Sequence, residues 1–419
     1  MNLSVFSELE SEVRSYIRSF PVVFDTARGS RLWDEDGREY IDFFCGAGTV
    51  NYGHNNPILK QPIIDFLMAD KLQHGLDMAT GAKRRFLEVF RDVILSPRGL
   101  DYKLQFTGPT GANAVEAALK VARQYTGRET VVTFTRGFHG VSLGALAVTG
   151  NSKFRSASGV NLPGAVFHPY DGYFGAEVDT VAMLRTLIED PSSGLALPAA
   201  VIVETVQGEG GVNVAGFEWL RSLSELCREK GIVFIADDIQ IGIGRSGDFF
   251  SWEAAGIVPD VVTLSKSLSG YGFPMSLVLL RPELDLWQPG VHSGTFRGNN
   301  VAFVGAATAI ETYWADPEFS ASVHRRGDLL ADGLQRIVDA HPEDFTTRGR
   351  GLLRGLVGTD ASLATAISHE AFQRGLVVET SGSRNEVVKV MPTIVGDDET
   401  LLTGIQIIAE SADAVLAAR

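Results

Sequence analysis

Lys266 and Asp237 are the two residues of this sequence whose type and placement could do covalent chemistry. Lys266 follows the run Val261-Val262-Thr263-Leu264 after a single serine, and Ser267 and Gly270-Tyr271-Gly272 come behind it. A β-branched run of this kind reads as a buried strand, and a lysine just past its end is either a solvated cation or an amine able to condense with a carbonyl. Asp237 holds the same position behind Ile232-Val233-Phe234-Ile235-Ala236. A carboxylate at the end of a buried strand is costly unless a cation or a hydrogen-bond donor meets it. Singly, each residue has a plain reading: a strand ending at a solvated charge, or Asp237 and Asp238 capping a loop. As a pair at two strand ends they fit one small molecule, an aldehyde on a protonated pyridine ring.

That molecule is pyridoxal 5′-phosphate (PLP), whose protein partners are a Schiff-base lysine and an acid at the ring nitrogen. Its phosphate needs a cradle. Thr107-Gly108-Pro109-Thr110-Gly111-Ala112-Asn113 runs into an Ala-rich helical stretch, whose first turn carries free N–H groups and the positive end of the helix dipole, although a plain loop-helix junction capped by Thr110 reads the same way. Phe138-His139-Gly140 follows another strand, where an aromatic side chain could stack on a flat ring. Glu204-Thr205-Val206-Gln207-Gly208-Glu209 brings two carboxylates and an amide to a further strand end, either as solvated turn residues or as a gate for substrate. Gly242-x-Gly244-x-x-Gly247 matches the dinucleotide fingerprint, but Asp248-Phe249-Phe250 follows where a helix must begin, which argues against a nicotinamide site. There is no His pair at metal spacing, and neither a metal nor serine hydrolase chemistry is expected.

The elements that must position these residues follow from apolar periodicity. Strands expected at 103–106, 131–134, 199–204, 232–236 and 261–264 alternate with helices at 112–126 and 216–230. Continuously apolar strands between amphipathic helices predict an α/β fold with a mostly parallel central sheet covered on both faces, binding ligands beyond its strands' C-terminal ends. Residues 61–299 are assigned to this large domain. Before it, 1–60 read as an arm with an extended piece at 19–24, an Asp36-Gly37 hairpin, and a Gly- and Asn-rich loop at 46–57. After it, 300–419 read as a smaller α+β domain, on which the N-terminal meander packs because isolated strands bury too little alone.

The 419 residues carry 37 basic and 51 acidic side chains, a net charge of -14 that argues against nucleic acid or an anionic membrane as partner. Only Cys45 and Cys227 occur, which suits a reducing compartment. The N-terminus has no basic and apolar leader, and no apolar run is judged long enough to cross a bilayer, so a cytoplasmic location is expected.

Ala236-Asp237-Asp238-Ile239-Gln240 with Gly242-x-Gly244-Arg245-Ser246-Gly247, Val203-Glu204 with Gln207-Gly208-Glu209, Ser265-Lys266, and Gly294-Thr295-Phe296-Arg297-Gly298-Asn299 together resemble the class III, or ω-type, PLP aminotransferases of fold type I. Within that class, Asn51-Tyr52-Gly53-His54, His74-Gly75-Leu76-Asp77 and Ser267-Leu268-Ser269-Gly270-Tyr271-Gly272 resemble the diaminobutyrate–2-oxoglutarate branch, which serves ectoine biosynthesis. The resemblance implies that Lys266 anchors PLP and carries the proton, and that Asp237 keeps the pyridine nitrogen protonated. It also implies that Gln240 meets the ring hydroxyl, Phe138 stacks on the ring, and His139 and Glu204 complete the cofactor site. Gly111 and Ala112 would give backbone N–H groups to the phosphate, and Thr295 would reach it from the second subunit of a homodimer or dimer of dimers. The implied reaction passes the amine of glutamate to aspartate 4-semialdehyde; ornithine, 4-aminobutyrate, an aminomutase reaction or a non-catalytic PLP-binding role are the alternatives. The class usually pairs Glu209 with a C-terminal arginine, and here the aligned residue is Lys389, without the planar fork of arginine. Glu209, Lys389 and Arg297 are therefore the expected substrate contacts, and Asn113 departs from the usual glutamate of the phosphate loop.

Overall fold

The computed structural model describes residues 3–419. Three short strands, β1 (Phe24–Arg28), β2 (Arg31–Asp34) and β3 (Glu39–Asp42), form an antiparallel meander that turns through Gly37 at φ +80°. The extended piece expected at 19–24 lies further on, because Tyr16–Ser19 is a helical turn and Pro21, which has no N–H for a ladder, keeps the first strand from starting before Phe24.

The large sheet contains β4 (Lys103–Phe106), β5 (Val131–Phe134), β6 (Ala165–His168) and β7 (Ala200–Val203). After a two-stranded ribbon of β8 (Val206–Gln207) and β9 (Asn213–Val214), it is completed by β10 (Val233–Asp237), β11 (Val261–Leu264) and β12 (Leu277–Leu280). Its order is β4-β12-β11-β10-β7-β5-β6, with β12 antiparallel to both neighbours and the other pairings parallel. Every residue of β5, β7, β10, β11 and β12 is buried, which is why these strands read as unbroken apolar runs. Alternate side chains face opposite layers. Phe234 and Ala236 pack in the cluster of Leu220, Leu223 and Leu226 from the helix Phe217–Lys230, while Val233 and Ile235 pack with Val115, Ala118 and Ala122 from the helix Gly111–Thr126.

The C-terminal part holds β13 (Phe345–Arg350), β14 (Leu353–Gly358), β15 (Leu376–Val377), β16 (Glu379–Ser381) and β17 (Val387–Val390). Four of these make a sheet of order β13-β14-β17-β16, and β15 pairs in parallel with β3 and so binds the N-terminal meander. One point of the sequence reading is corrected. The helix Asp398–Ala417 is long and apolar enough to cross a bilayer by length and composition. Its Leu401, Ile405, Ile408 and Ala412 are buried in the main core, which accounts for that apolar content.

Candidate active site

β10 and β11 run side by side with Asp237 opposite Thr263, so their C-terminal ends deliver Asp237 and Lys266 to one edge of the sheet. Asp237 is nearly fully buried. Its Oδ1 accepts from Thr263 Oγ1 at 3.0 Å and from Ile239 N–H at 3.2 Å, and its Oδ2 accepts from His139 Nδ1 at 2.6 Å. Burial alone would drive His139 towards its neutral form, but the hydrogen bond and charge of Asp237 hold its pKa above the ordinary value. A carboxylate offers about four lone-pair positions, and three are used here. Lys266 Nζ donates to the Ala47 carbonyl at 2.8 Å. Burial lowers the pKa of its amine, partly opposed by the charge of Glu209, which favours the uncharged nucleophile. Lys266 also holds φ at +49°, and Ala47, whose carbonyl it meets, at +56°; elsewhere in the chain Arg136, Val212 and Ile243 have positive φ as well. For β-branched Val212 and Ile243 such angles are true outliers, the strain expected of a segment fixed for function.

Lys266, Asp237, Gly111, Ala112, Phe138, His139, Glu204, Glu209 and Gln240 line one cavity of about 170 Å³, together with Gly140, Val206, Ile239 and Ile241. Glu204 Oε2 accepts from the Phe138 N–H at 2.9 Å, and burial pushes its carboxyl up to about 8, so it is mostly protonated at neutral pH. Asp238, facing away on Ser251, is likewise raised by burial, to about 7. Glu209 behaves oppositely. Burial pushes it upward, but the charges of Lys389 and Lys266 and the hydrogen bonds from Lys389 and Gln240 hold it at about 2. Lys389, wholly buried on β17, lies 2.6 Å from Glu209 and 2.9 Å from Glu379. Glu379 in turn accepts from the Tyr16 hydroxyl at 3.2 Å.

The residues fit PLP on three counts. Gln240 Nε2 donates to Ala47 O and to Glu209, while its Oε1 is buried without a partner, an acceptor left open for a hydroxyl. The Gly111–Thr126 helix is capped by Thr110, whose Oγ1 accepts from Asn113 N–H, and no acceptor meets the N–H groups of Gly111 and Ala112 among the described residues. The walls also leave room. A Cβ at Gly208 would lie 1.8 Å from Gln240 Oε1, and one at Gly140, where φ is +125°, would lie 2.8 Å from the Ala112 Cβ.

Three residues named from sequence are not part of this cavity's lining: Lys389, which reaches it only through Glu209, and Thr295 and Arg297. Thr295 and Arg297 sit on the turn Thr295–Gly298, with Thr295 exposed. That turn begins near the phosphate loop, since a Cβ at Gly294 would meet Gly108 N at 3.5 Å. The sequence reading missed Ala47, Thr263, Glu379 and Tyr16. Only Thr263 carried a local sign, a hydroxyl in an otherwise apolar strand.

Comparison with known proteins shows the family. The family model described as "Aminotransferase class-III" matches residues 14–411. The chain is 59% identical to a diaminobutyrate–2-oxoglutarate transaminase of Bordetella parapertussis, covering 99% of this chain and 96% of that protein. It is 54% identical to the enzyme of the same name from Halomonas elongata, covering 98% and 99%. Among solved structures, an ornithine aminotransferase from Toxoplasma gondii superposes with a TM-score of 0.86 at 27% identity, over 100% of this chain and 95% of that one.

Proposed function

The chain belongs to the class-III aminotransferases, and from that premise we propose that it is a diaminobutyrate–2-oxoglutarate transaminase, moving the amine of L-glutamate to L-aspartate 4-semialdehyde. The products are L-2,4-diaminobutyrate and 2-oxoglutarate, the former a precursor for ectoine or a secondary metabolite. The observation that carries the reading is identity of 54–59% over nearly the whole chain to enzymes of that name, around a cavity whose lining suits PLP.

PLP, when bound, supplies an electron sink for the electrons of a substrate C–H bond. The chain's own residues do the rest. Asp237, oriented by His139 and Thr263, would hold the ring nitrogen and its proton. Gly111 and Ala112 hold the phosphate, Phe138 covers one face, and Gln240 takes the ring hydroxyl. Lys266 Nζ, its charged form disfavoured by burial, would hold the aldehyde carbon until a substrate amine replaced it, and the freed amine would then take the proton from the substrate carbon and return it. Glu204, mostly protonated at neutral pH, adds little negative charge beside Asp237.

A homodimer in the cytoplasm is part of the proposal. Leu76, Met78 and Phe296 are 42%, 52% and 65% exposed around the turn that carries Thr295, apolar surface that a second copy would bury. Cys45 and Cys227 are free thiols, which suits a reducing compartment.

Amino-donor assays with 2-oxoglutarate test the function. 2,4-Diaminobutyrate is expected to be preferred over ornithine and 4-aminobutyrate, and preference for either of these would refute the assignment.

A further inference from the structure

A second cavity, of about 380 Å³, adjoins the first and shares Phe138 and Glu209 with it. Arg136 stands in its wall, held at φ +66°. The Arg136 guanidinium lies over the Tyr173 ring, 5.2 Å from its centroid, and Nη1 donates to Asn213 Oδ1 at 3.3 Å. Asn213 is fixed in its turn by donating to Gln207 Oε1 at 3.0 Å. Arg348 approaches from β13, where its Nε donates to the Gly211 carbonyl at 2.8 Å and its Nη2 lies against Gly211. Arg136 packs against Gly210 and Arg348 against the next residue, Gly211, which brings the two together, and burial and the charge of Arg136 lower the pKa of Arg348 against the opposing charge of Glu386.

Neither arginine has an ion-pair partner among the described residues. The one carboxylate in the wall of the second cavity, Glu209, is engaged by Lys389 at 2.6 Å. Two guanidinium groups with no direct ion pair, Arg136 in the cavity wall and Arg348 beside it, in a chain of net charge -14, form a site for an anion from outside. Lys389, where the family reading expects a carboxylate receptor, is neutralised from both sides by Glu209 and Glu379.

We propose that Arg136 and Arg348 bind the carboxylate at the non-reacting end of the substrate. The identity of that anion rests on the transaminase reading above. Glutamate and 2-oxoglutarate react at C2 and 2,4-diaminobutyrate at C4. In each, the distal carboxylate carbon lies three bonds from the reacting carbon, so one fixed receptor serves both half-reactions. The guanidinium fork gives the planar, two-point grip that a lysine ammonium cannot.

The test uses the PLP-loaded enzyme with Arg136→Asn, chosen because asparagine tolerates positive φ, and Arg348→Gln. Glutarate, an unreactive dicarboxylate, is titrated calorimetrically into each. Both variants are expected to bind it at least tenfold more weakly than the wild type. In steady-state assays kcat/KM for 2,4-diaminobutyrate falls at least tenfold, chiefly through KM, while 1,3-diaminopropane, the same chain without the carboxylate, keeps its value. Unchanged glutarate affinity in both variants, or a parallel loss with 1,3-diaminopropane, overturns the proposal. If the wild type does not turn over diaminobutyrate, the functional reading fails, and the glutarate titration still decides the anion site.

Discussion

Asp237 and Lys389 are both buried charges, but different partners hold them, and their replacements should fail differently. Asp237→Asn keeps an oxygen for Thr263 and Ile239 and loses the charge that, on the proposed role, would keep a pyridine nitrogen protonated. The expected outcome in single-turnover assays is a slower amine-transfer step by ~3 kcal/mol, about the effect of removing one preorganised electrostatic group, with the fold intact by circular dichroism. Lys389→Met should instead damage stability, because it leaves Glu209 and Glu379 together without their cation. Breaking a buried pair from one side costs ~3–5 kcal/mol, to be read from urea unfolding at pH 7. The sign with pH follows from Glu209, which is held at about 2 against an ordinary 4.5. In the wild type it contributes stability that is fully present above pH 4.5 and is lost as the pH falls towards 2. Lys389→Met removes the main cause of that shift, so the variant's deficit should narrow as the pH falls from 4.5 towards 2.

At the scale of elements, the strand ends were readable from sequence and the loops were not. Burial on both faces forces β10 and β11 to be continuously apolar, so a polar residue marks where each leaves the sheet, and Asp237 and Lys266 stand out for that reason. The conformations of Ala47, Val212 and Ile243 had no such sign, since nothing in those residue types announces a positive φ. Gly208 is the accessible test of how tightly the loops are set. In Gly208→Ala the new methyl would occupy the place of Gln240 Oε1 and drive the amide off Ala47 O and Glu209. Affinity for PLP, titrated by absorbance, should fall about tenfold, equivalent to ~1.4 kcal/mol and of the order of one hydrogen bond to a polar group. Thr110→Ala tests the phosphate end: loss of the Asn113 cap should lower stability by ~1 kcal/mol in thermal melts and weaken PLP binding in parallel.

Contacts between distant parts of the chain are where sequence said least. Tyr16 reaches Glu379, and Arg245 is fully buried, donating to the carbonyls of Leu352 and Pro392 and to the Asn51 side chain. These pairings join the arm, the Gly-rich loop after β10 and the C-terminal sheet, yet each partner alone looks like an ordinary surface residue. Thr295 takes the same question beyond one chain, because it is exposed and outside the cavity that holds Lys266. If Thr295 completes the partner's site, two damaged subunits can repair each other. Lys266→Ala destroys the site that contains its own lysine, and Thr295→Asp places a negative charge beside the phosphate of the neighbouring site. In a mixed dimer one site combines Lys266 from the Thr295→Asp subunit with Thr295 from the Lys266→Ala subunit, and is whole. After equal amounts of the two variants are unfolded and refolded together, half of the dimers are mixed and each has one intact site, so activity should recover to about a quarter of wild type for a twofold-symmetric pair. Activity no greater than the mean of the two parents refolded separately would show that each chain builds its site alone.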